Sequence, residues 1–387
     1  MAFSDPVAPL PLPAGIRSRF VDSVNGLRMH LLEAGDPRHP CLLLLHGFPE
    51  LAWSWREVMV PLAEAGYHVI APDQRGYGRT TGWDASYDAD LEPFSMPGLV
   101  RDALALVSAL GRREVAAVVG HDFGAPVAAW CALIRPDVFR RVALMSAPFA
   151  GPPTLPFDTA DRPASRPAAE APSIEAALAA LPRPRKHYQW YYATREADAD
   201  MRHCPQGLHD FLRAYYHVKS ADWPENRPHP LASWSAGELA KLPTYYVMDL
   251  DRDMPQTVAP QMPTPAQIAE CRWLPDAALA VYASEYARTG FQGGLHWYRC
   301  AISPRFGAQM LLFSGRTIDV PSIFIAGASD WGIHQKPGAL ERMRTQACAR
   351  MLDVRLLEGA GHWVQQEQPG AVVQGLLELL DAPASNG

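Results

Sequence analysis

The segment GHDFGAP, residues 120–126, has an aspartate at a position where a nucleophile is expected. Gly120 and Gly124 bracket Asp122 in the glycine pattern of a nucleophile elbow, whose central residue is commonly serine. Small residues are needed on both sides because the turn from strand to helix is sharp. A carboxylate there can attack an alkyl carbon and form an ester. An aspartate after a strand can also simply cap the next helix, so the elbow alone leaves both interpretations open.

Two more residues could complete a catalytic triad with Asp122. Asp330 ends the predicted strand SIFIAGASD, and His362 follows the predicted strand VRLLEGAG. An acid and then a histidine after the nucleophile is the chain order of α/β-hydrolases. The carboxyl ends of parallel strands lie at one edge of a sheet, so the three side chains are expected to converge. The sequence therefore predicts a nucleophile, an acid and a base.

The segment HGFP, residues 46–49, follows the first buried strand and is predicted to form part of the same site. The backbone N–H groups of Phe48 and Phe123 are the expected donors to an oxyanion. Pro49 is a candidate for a cis peptide bond, and we expect His46 and Pro49 to contact substrate. The segment DQRGYG, residues 73–78, is interpreted as a turn without a catalytic role.

Short apolar runs alternate with amphipathic stretches along both ends of the chain. Asn25-Gly26 lies within alternating apolar residues and predicts an amino-terminal hairpin. This rhythm predicts an α/β fold with a mostly parallel central sheet flanked by helices. The predicted strands are 41–47, 67–73, 115–122, 141–148, 321–330 and 353–362, and the predicted helices are 53–66, 98–111, 124–134, 337–350 and 371–381.

The alternation is interrupted in the middle of the chain. Residues 148–184 contain nine prolines and predict a long connecting loop. Residues 186–303 are rich in aromatic residues and are predicted to be helical, without a buried strand. We therefore expect core residues 1–148 and 304–387 to enclose an inserted loop and helical cap, residues 149–303.

Four motifs in this order resemble the epoxide hydrolases of the α/β-hydrolase superfamily. They are HGFPE with WSWR, DQRGYG, GHDFGAP and GAGHWVQQEQP, and together they extend over nearly the whole chain. The resemblance implies an α/β-hydrolase fold with a helical cap. It also implies hydrolysis of an epoxide through an ester on Asp122, which a water activated by His362 and Asp330 then cleaves.

The same family carries two cap tyrosines that hydrogen-bond the epoxide oxygen. The segments HYQWYY and GGLHWYRC match those positions and assign the roles to Tyr188 and Tyr298, with His296 in place of the usual asparagine. Tyr191 and Tyr192 compete with Tyr188 for the first role. Ordinary packing is the alternative for aromatic residues of a cap, although Trp190 and Trp297 are further candidates for lining a pocket that favours an apolar or aromatic epoxide.

Other functions remain open beside the epoxide hydrolase. Haloalkane dehalogenases use the same carboxylate and histidine chemistry, but they commonly bind halide through side-chain N–H groups, which Phe48 and Phe123 lack. A silent binding protein on this fold is a third possibility. An ester hydrolase would need serine or cysteine at residue 122.

Composition excludes several other classes. The chain has 387 residues, 48% of them hydrophobic and 20% charged, with a net charge of −6. This balance argues against nucleic acid as a partner. Neither a signal peptide nor a membrane span is predicted, and six scattered cysteines without a C-x-x-C pair favour reduced thiols in the cytoplasm. We expect no metal and no cofactor, and the sequence carries no sign of the oligomeric state.

Overall fold

The structure, a computed structural model, describes residues 8–155 and 172–383. The strands within them are β1 (Ile16–Val24), β2 (Leu27–Ala34), β3 (Cys41–Leu45), β4 (His68–Pro72), β5 (Ala117–His121), β6 (Val142–Met145), β7 (Arg185–His187), β8 (Val247–Asp249), β9 (Ser322–Gly327) and β10 (Met351–Leu357). Eight of them form one sheet in the order β1-β2-β4-β3-β5-β6-β9-β10. All neighbours are parallel except β1 with β2 and β2 with β4. The predicted mostly parallel sheet is confirmed.

Helices cover both faces of this sheet. The α-helical segments of the described residues are α1 (Arg56–Glu64), α2 (Met96–Ala109), α3 (Gly124–Ile134), α4 (Ile174–Ala179), α5 (Tyr188–Tyr192), α6 (Ala197–Arg202), α7 (Leu208–Lys219), α8 (Ala236–Leu239), α9 (Met254–Val258), α10 (Pro265–Glu270), α11 (Asp276–Thr289), α12 (Gln292–Ile302), α13 (Pro304–Gln309), α14 (Ala339–Arg342), α15 (Val364–Glu367) and α16 (Pro369–Asp381). Among these segments, none is both long enough and apolar enough to cross a bilayer.

Strand β3 explains why the central strands are apolar throughout. Successive side chains of a strand point to opposite faces, so Leu42 and Leu44 face one side and Leu43 and Leu45 the other. The first pair packs in a cluster with residues of α1 and α16, and the second pair packs in a cluster with residues of α2 and α3. A strand buried on both faces cannot alternate between apolar and polar residues.

The amino-terminal hairpin is confirmed. Strands β1 and β2 pair antiparallel across Asn25 and Gly26, whose φ angles are 48° and 82°. Positive φ at both central residues is the conformation that asparagine and glycine accept most readily. The hairpin extends the parallel strands at one edge of the sheet and lies on the β4 side of it.

The segment between β6 and β9 differs from the prediction in two respects. Strands β7 and β8 form a separate antiparallel pair in which Val247 and Met248 are buried, so the expectation of no buried strand in residues 186–303 was wrong. Three residues are too few to produce a recognisable alternation. The predicted loop 148–184 also contains helix α4, which Ser173 caps by accepting a hydrogen bond from the Ala176 N–H. Residues 156–171 of that loop lie outside the described residues. The division into core and cap at residues 148 and 303 stays a prediction.

The other difference lies after β9. The helix predicted over 337–350 is a single four-residue turn, α14, followed by a π-helical turn over Met343–Ala347. Gly338, at φ 71°, precedes the turn. The left-handed conformation, which glycine adopts easily, prevents the helix from beginning at Pro337.

Backbone packing joins α12 to the core. A Cβ atom built on Gly293 would lie 2.0 Å from the carbonyl oxygen of Gly76. Just after the same turn, Arg79 forms an ion pair of 2.8 Å with Glu285, which lies on α11. Because two glycines meet here, α12 approaches the DQRGYG turn closely. That segment is a turn as predicted: a Cβ on Gly78 would collide with the Asp73 carboxylate.

Candidate active site

The turn between β5 and α3 holds Asp122 in an unusual conformation. Asp122 has a φ of 51°, which is uncommon for a residue with a side chain and is often found at functional sites. A Cβ atom on Gly120 would lie 2.1 Å from the Gly124 carbonyl oxygen, and one on Gly124 would lie 2.2 Å from that of Leu45. Both flanking glycines are therefore required by close backbone packing. The geometry is that of a nucleophile elbow.

Asp122, His362 and Asp330 lie together at the carboxyl edge of the sheet. Oδ2 of Asp122 is 3.2 Å from Nε2 of His362. Nδ1 of His362 donates to both carboxylate oxygens of Asp330, at 3.1 and 3.3 Å. Asp330 also accepts from the Gly332 N–H at 2.6 Å. Asp330 and His362 are almost fully buried, whereas the Asp122 side chain keeps 13% of its surface exposed. The carboxylate of Asp122 is thus the accessible member of the three.

The electrostatics of the three residues favour an ion pair in the resting state. Burial opposes ionisation of Asp122, but the contact and charge of His362 outweigh it and hold the Asp122 pKa well below its usual range. Burial also disfavours the charged form of His362. The charge of Asp330, together with contacts to both carboxylates, nevertheless raises the His362 pKa to about 9. Asp122 is therefore ionised and His362 protonated at neutral pH.

The backbone of the HGFP loop reaches the Asp122 carboxylate. The Phe48 N–H donates to Oδ1 of Asp122 at 2.9 Å. A Cβ on Gly47 would lie 2.4 Å from that carboxylate, so only glycine permits the approach. The Phe48–Pro49 peptide bond is cis. Phe123 directly follows Asp122 at the start of α3, where its backbone N–H belongs to the same turn.

A cavity of about 680 Å³ opens above Asp122. Tyr188 and Tyr298 line it together with Asp122, and its remaining surface is largely apolar. Its larger apolar lining residues are Phe94, Met96, Phe123, Trp130, Phe149, Trp297, Phe306 and Met310. The volume lies within the range of small-molecule sites.

The rings of the cap tyrosines are held by edge-to-face packing. The Tyr298 ring lies 5.4 Å from that of Phe48, 5.2 Å from that of Phe123 and 5.9 Å from that of Tyr188. Burial and the nearby Asp122 charge raise the pKa of both Tyr188 and Tyr298. Both hydroxyls therefore keep their protons at neutral pH and are available as donors.

Tyr191 and Tyr192, the competitors of Tyr188, are directed elsewhere. The Tyr191 hydroxyl donates to Asp200 at 3.1 Å, and the Tyr192 hydroxyl donates to that of Tyr215 at 3.2 Å. Neither residue lines the cavity that contains Asp122. Of the three tyrosines, only Tyr188 shares the cavity with Asp122.

Three of the predicted substrate contacts do not line the cavity. Trp297 does, but Trp190, His46 and Pro49 do not. Trp190 is two residues after Tyr188 in a helical turn, so its side chain points to the opposite face, where it packs on His187. His46 is fully buried, and its Nε2 accepts from the Gln74 N–H at 3.1 Å. We therefore withdraw these three residues as substrate contacts.

Sequence reasoning missed a buried pair that supports the triad. Nδ1 of His121 is 2.5 Å from Oε2 of Glu50, and its Nε2 donates to the His362 carbonyl oxygen at 2.7 Å. Glu50 also accepts from the Gly47 N–H and from the Gln365 amide. Glu50 directly follows HGFP and His121 directly precedes Asp122, which could have indicated that they lie near the site. Neither residue forms a recognisable motif alone.

A metal-binding group is not found among the described residues: no three His, Cys, Asp or Glu side chains are suitably placed in 8–155 and 172–383. The arrangement can supply a carboxylate nucleophile, a histidine base, an amide donor and two phenolic donors.

Known proteins are similar to this chain in sequence and in fold. Residues 40–185 match the model of the alpha/beta hydrolase fold. Epoxide hydrolase A of Mycobacterium tuberculosis is 34% identical over 94% of this chain and 96% of its own length. Epoxide hydrolase 3 of Siraitia grosvenorii is 30% identical over 90% and 93% of the two chains.

Solved structures agree with the sequence relatives. The epoxide hydrolase from an endophytic Streptomyces superimposes with a TM-score of 0.72 at 31% identity, over 95% of this chain and 96% of that one. Epoxide hydrolase A from Mycobacterium thermoresistibile gives a TM-score of 0.71 at 30% identity, over 96% and 100%. This similarity in sequence and fold, over nearly the full length of each chain, shows that the chain belongs to the epoxide hydrolase family.

Proposed function

We propose that this enzyme hydrolyses an epoxide to a vicinal diol through a covalent ester on Asp122. The observation that carries the proposal is the shared cavity of Asp122, Tyr188 and Tyr298, with His362 immediately beside the carboxylate. The relatives named epoxide hydrolases support the overall reaction. The assignment of steps to residues rests on the distances around Asp122.

In the first step, one carboxylate oxygen of Asp122 attacks an epoxide carbon. Oδ1 is bonded to the Phe48 N–H, whereas Oδ2 lies near His362. We assign the attack to Oδ2, because Oδ1 then becomes the ester carbonyl oxygen in the position where an amide can stabilise it. The carbon–oxygen bond of the ring breaks, and the oxygen leaves with its electron pair. Tyr188 and Tyr298 donate hydrogen bonds to it as its charge develops. The alkoxide takes up one proton and the resting His362 imidazolium gives one up, which completes the first hydroxyl group and leaves His362 neutral for the second step.

In the second step, water cleaves the ester. Neutral His362, oriented by Asp330, accepts a proton from water, and the resulting hydroxide attacks Cγ of Asp122. Negative charge then develops on Oδ1, where the Phe48 and Phe123 N–H groups are the proposed donors. Removing one such donor costs about 3–4 kcal/mol in a well-studied enzyme. Collapse of the intermediate expels the diol oxygen, which takes the proton from His362. The Asp122 carboxyl group then gives its remaining proton to His362, which restores the resting ion pair.

The aromatic lining supports an apolar or aromatic epoxide as substrate. Phe94, Trp130 and Phe306 are among the residues that line the cavity. A halide is supported less well, because the indole N–H of Trp297 is occupied by the Arg75 carbonyl oxygen at 3.0 Å. The phenylalanines at positions 48 and 123 offer a halide no side-chain N–H.

Trapping the ester tests the proposal. In His362→Gln the carboxylate still attacks, but hydrolysis is expected to fall by roughly 10³-fold or more because the base is missing. The variant is incubated with styrene oxide, 1,2-epoxyoctane and a chloroalkane. It is then digested, and the peptide masses are measured by mass spectrometry. We expect an adduct with the mass of the whole epoxide on the peptide that contains Asp122.

His209→Gln is the matched control. The His209 side chain lies on α7, is 42% exposed and pairs with Asp210 rather than with a triad residue. It should turn over without accumulating an adduct. An alkyl adduct formed only from the chloroalkane would favour a dehalogenase. An adduct on another residue, or none in a variant whose parent enzyme is active, would contradict the proposed mechanism.

A further inference from the structure

Lys219 is a buried cation beside the triad with no role in the steps above. It is the last residue of α7, and only 3% of its surface is exposed. Within residues 8–155 and 172–383, its ammonium group makes no salt bridge and lies over ring faces. Nζ lies 4.7–5.9 Å from five ring centroids, those of Tyr188, Tyr215, Tyr245, Tyr246 and Trp363.

Aromatic faces stabilise a buried cation without neutralising it. The negative face of each ring attracts the ammonium group, and the attraction strengthens when water is excluded. A carboxylate in direct contact would instead screen the charge at short range. The charge of Lys219 therefore remains effective on the groups around it.

The surrounding titratable groups come from both sides of the cavity. The core supplies Asp122, Asp330, Glu50 and His362, and the cap supplies the four tyrosines of the ring cluster. Burial lowers the Lys219 pKa to about 8 even though the three carboxylates favour its charge. In return, the Lys219 charge lowers the pKa of both Asp122 and His362.

The backbone of the same residue fixes its position relative to the histidine. The Lys219 carbonyl oxygen accepts from the His362 N–H at 2.8 Å. A Cβ on Gly361 would lie 2.5 Å from that carbonyl oxygen, so the histidine loop and the end of α7 are in close contact. Lys219 and His362 thus lie at one junction, where the end of α7 meets the loop after β10.

This junction addresses a requirement of the reaction. His362 is paired with an ionised Asp122 in the resting enzyme, but it must be neutral to accept a proton from water during hydrolysis. Esterification removes the Asp122 charge, while Asp330 continues to favour the imidazolium form. A nearby cation opposes that form through electrostatic repulsion.

We propose that Lys219 is a positioning residue whose charge keeps His362 in its neutral, basic form in the ester intermediate. The inference rests on the proposed function, because it concerns the second of its two steps. Lys219 does not touch the reacting atoms. It acts through the histidine, and its effect is confined to hydrolysis of the ester.

The test compares Lys219→Met with Lys219→Arg. Methionine fills similar apolar space without charge, whereas arginine retains a cation that can stack on the same rings. Formation and decay of the ester on Asp122 are followed by rapid quench and mass spectrometry with styrene oxide, from about pH 5 to about pH 9, the range in which a histidine of this kind titrates.

In Lys219→Met we expect the ester to form at a rate within about twofold of the parent enzyme, since the carboxylate stays ionised throughout this range. Its decay should need a higher pH, with the acid limb shifted upward by about one pH unit and decay about tenfold slower below it. The acid limb moves to higher pH because the charge that is removed lowers the His362 pKa in the parent enzyme. The rates of ester decay in Lys219→Met and in the parent enzyme should converge above about pH 8, where Lys219 itself loses its proton.

Lys219→Arg should restore the acid limb of the parent enzyme. An unchanged limb in Lys219→Met, or an arginine variant that forms the ester normally but retains the shifted limb, would overturn the role of Lys219. Absence of any ester in the active parent enzyme would instead overturn the proposed two-step reaction, and the inference with it. Normal ester formation in each variant also establishes that it has folded.

Discussion

The two sides of the cavity hold their polar groups in different ways. On the core side, the Asp122 carboxylate and the His362 ring are fixed by hydrogen bonds or ion pairs to named partners. On the cap side, Tyr188 and Tyr298 are positioned chiefly by the packing of their rings. A polar network fixes angles and protonation states, whereas ring packing fixes position and leaves the hydroxyl available. Core changes should therefore abolish a chemical step, and cap changes should slow one.

The largest effect is expected for Asp122→Asn. Asparagine tolerates the left-handed backbone conformation at this position but is a poor nucleophile, so the fold should persist while ester formation stops. We expect turnover to fall by roughly 10³-fold or more. Diol formation and circular dichroism measure the two properties. Activity close to that of the parent enzyme would show that Asp122 is not the nucleophile and would remove the basis of the comparison.

A smaller effect is expected for the cap tyrosines. Tyr298→Phe and Tyr188→Phe retain the packed rings and remove one donor each, so ester formation should slow by about 10²-fold in either variant. Decay of the ester should change little. Single-turnover kinetics separate the two steps.

Tyr192→Phe is the matched control for the tyrosine pair. Its hydroxyl is bonded to Tyr215 rather than directed into the cavity, and we expect a change of less than about threefold. A large loss in this variant with no loss in Tyr188→Phe would exchange their roles.

The smallest effect is expected where the two sides meet. Gly293→Ala forces a methyl group against the Gly76 backbone, which should lower the free energy of unfolding by about 1–3 kcal/mol. Thermal unfolding measures the change. Gly237→Ala is the control: a Cβ there meets no atom within 4 Å, and we expect a gain of about 0.4–1 kcal/mol. Equal stability of the two variants would show that α12 does not depend on this close approach.

Much of the site on the core side could be predicted because its residues are tied to local sequence patterns. Glycines around Asp122 and strands before Asp330 and His362 are short-range signals, and parallel strands place their carboxyl ends at one edge. Glu50, His121 and Lys219 carry no such pattern. His121 and Lys219 bond to the His362 backbone, and Glu50 bonds to His121. These partners lie far apart in the chain, so only the folded structure shows their proximity.

The cap shows most clearly which features could not be predicted from the sequence. Sequence resemblance selected a segment with three tyrosines but could not choose among them from spacing alone. The choice depends on which ring faces the cavity in a one-turn helix, and therefore on how α5 packs against α12 and the core. The same packing directs Trp190 away. His46 is buried for a different reason, since it packs against the DQRGYG turn and bonds to Gln74.

The amino-acid sequence by itself determined the alternation of strands and helices in the core, the elbow and the chain order of the proposed nucleophile, acid and base. These follow from side-chain periodicity and from the conformational freedom of glycine, which act over a few residues. The tertiary structure alone decided which tyrosines share the cavity, which aromatic residues line it and which buried cation lies beside the base. These depend on contacts between distant segments, whose geometry is set only when the cap packs on the sheet.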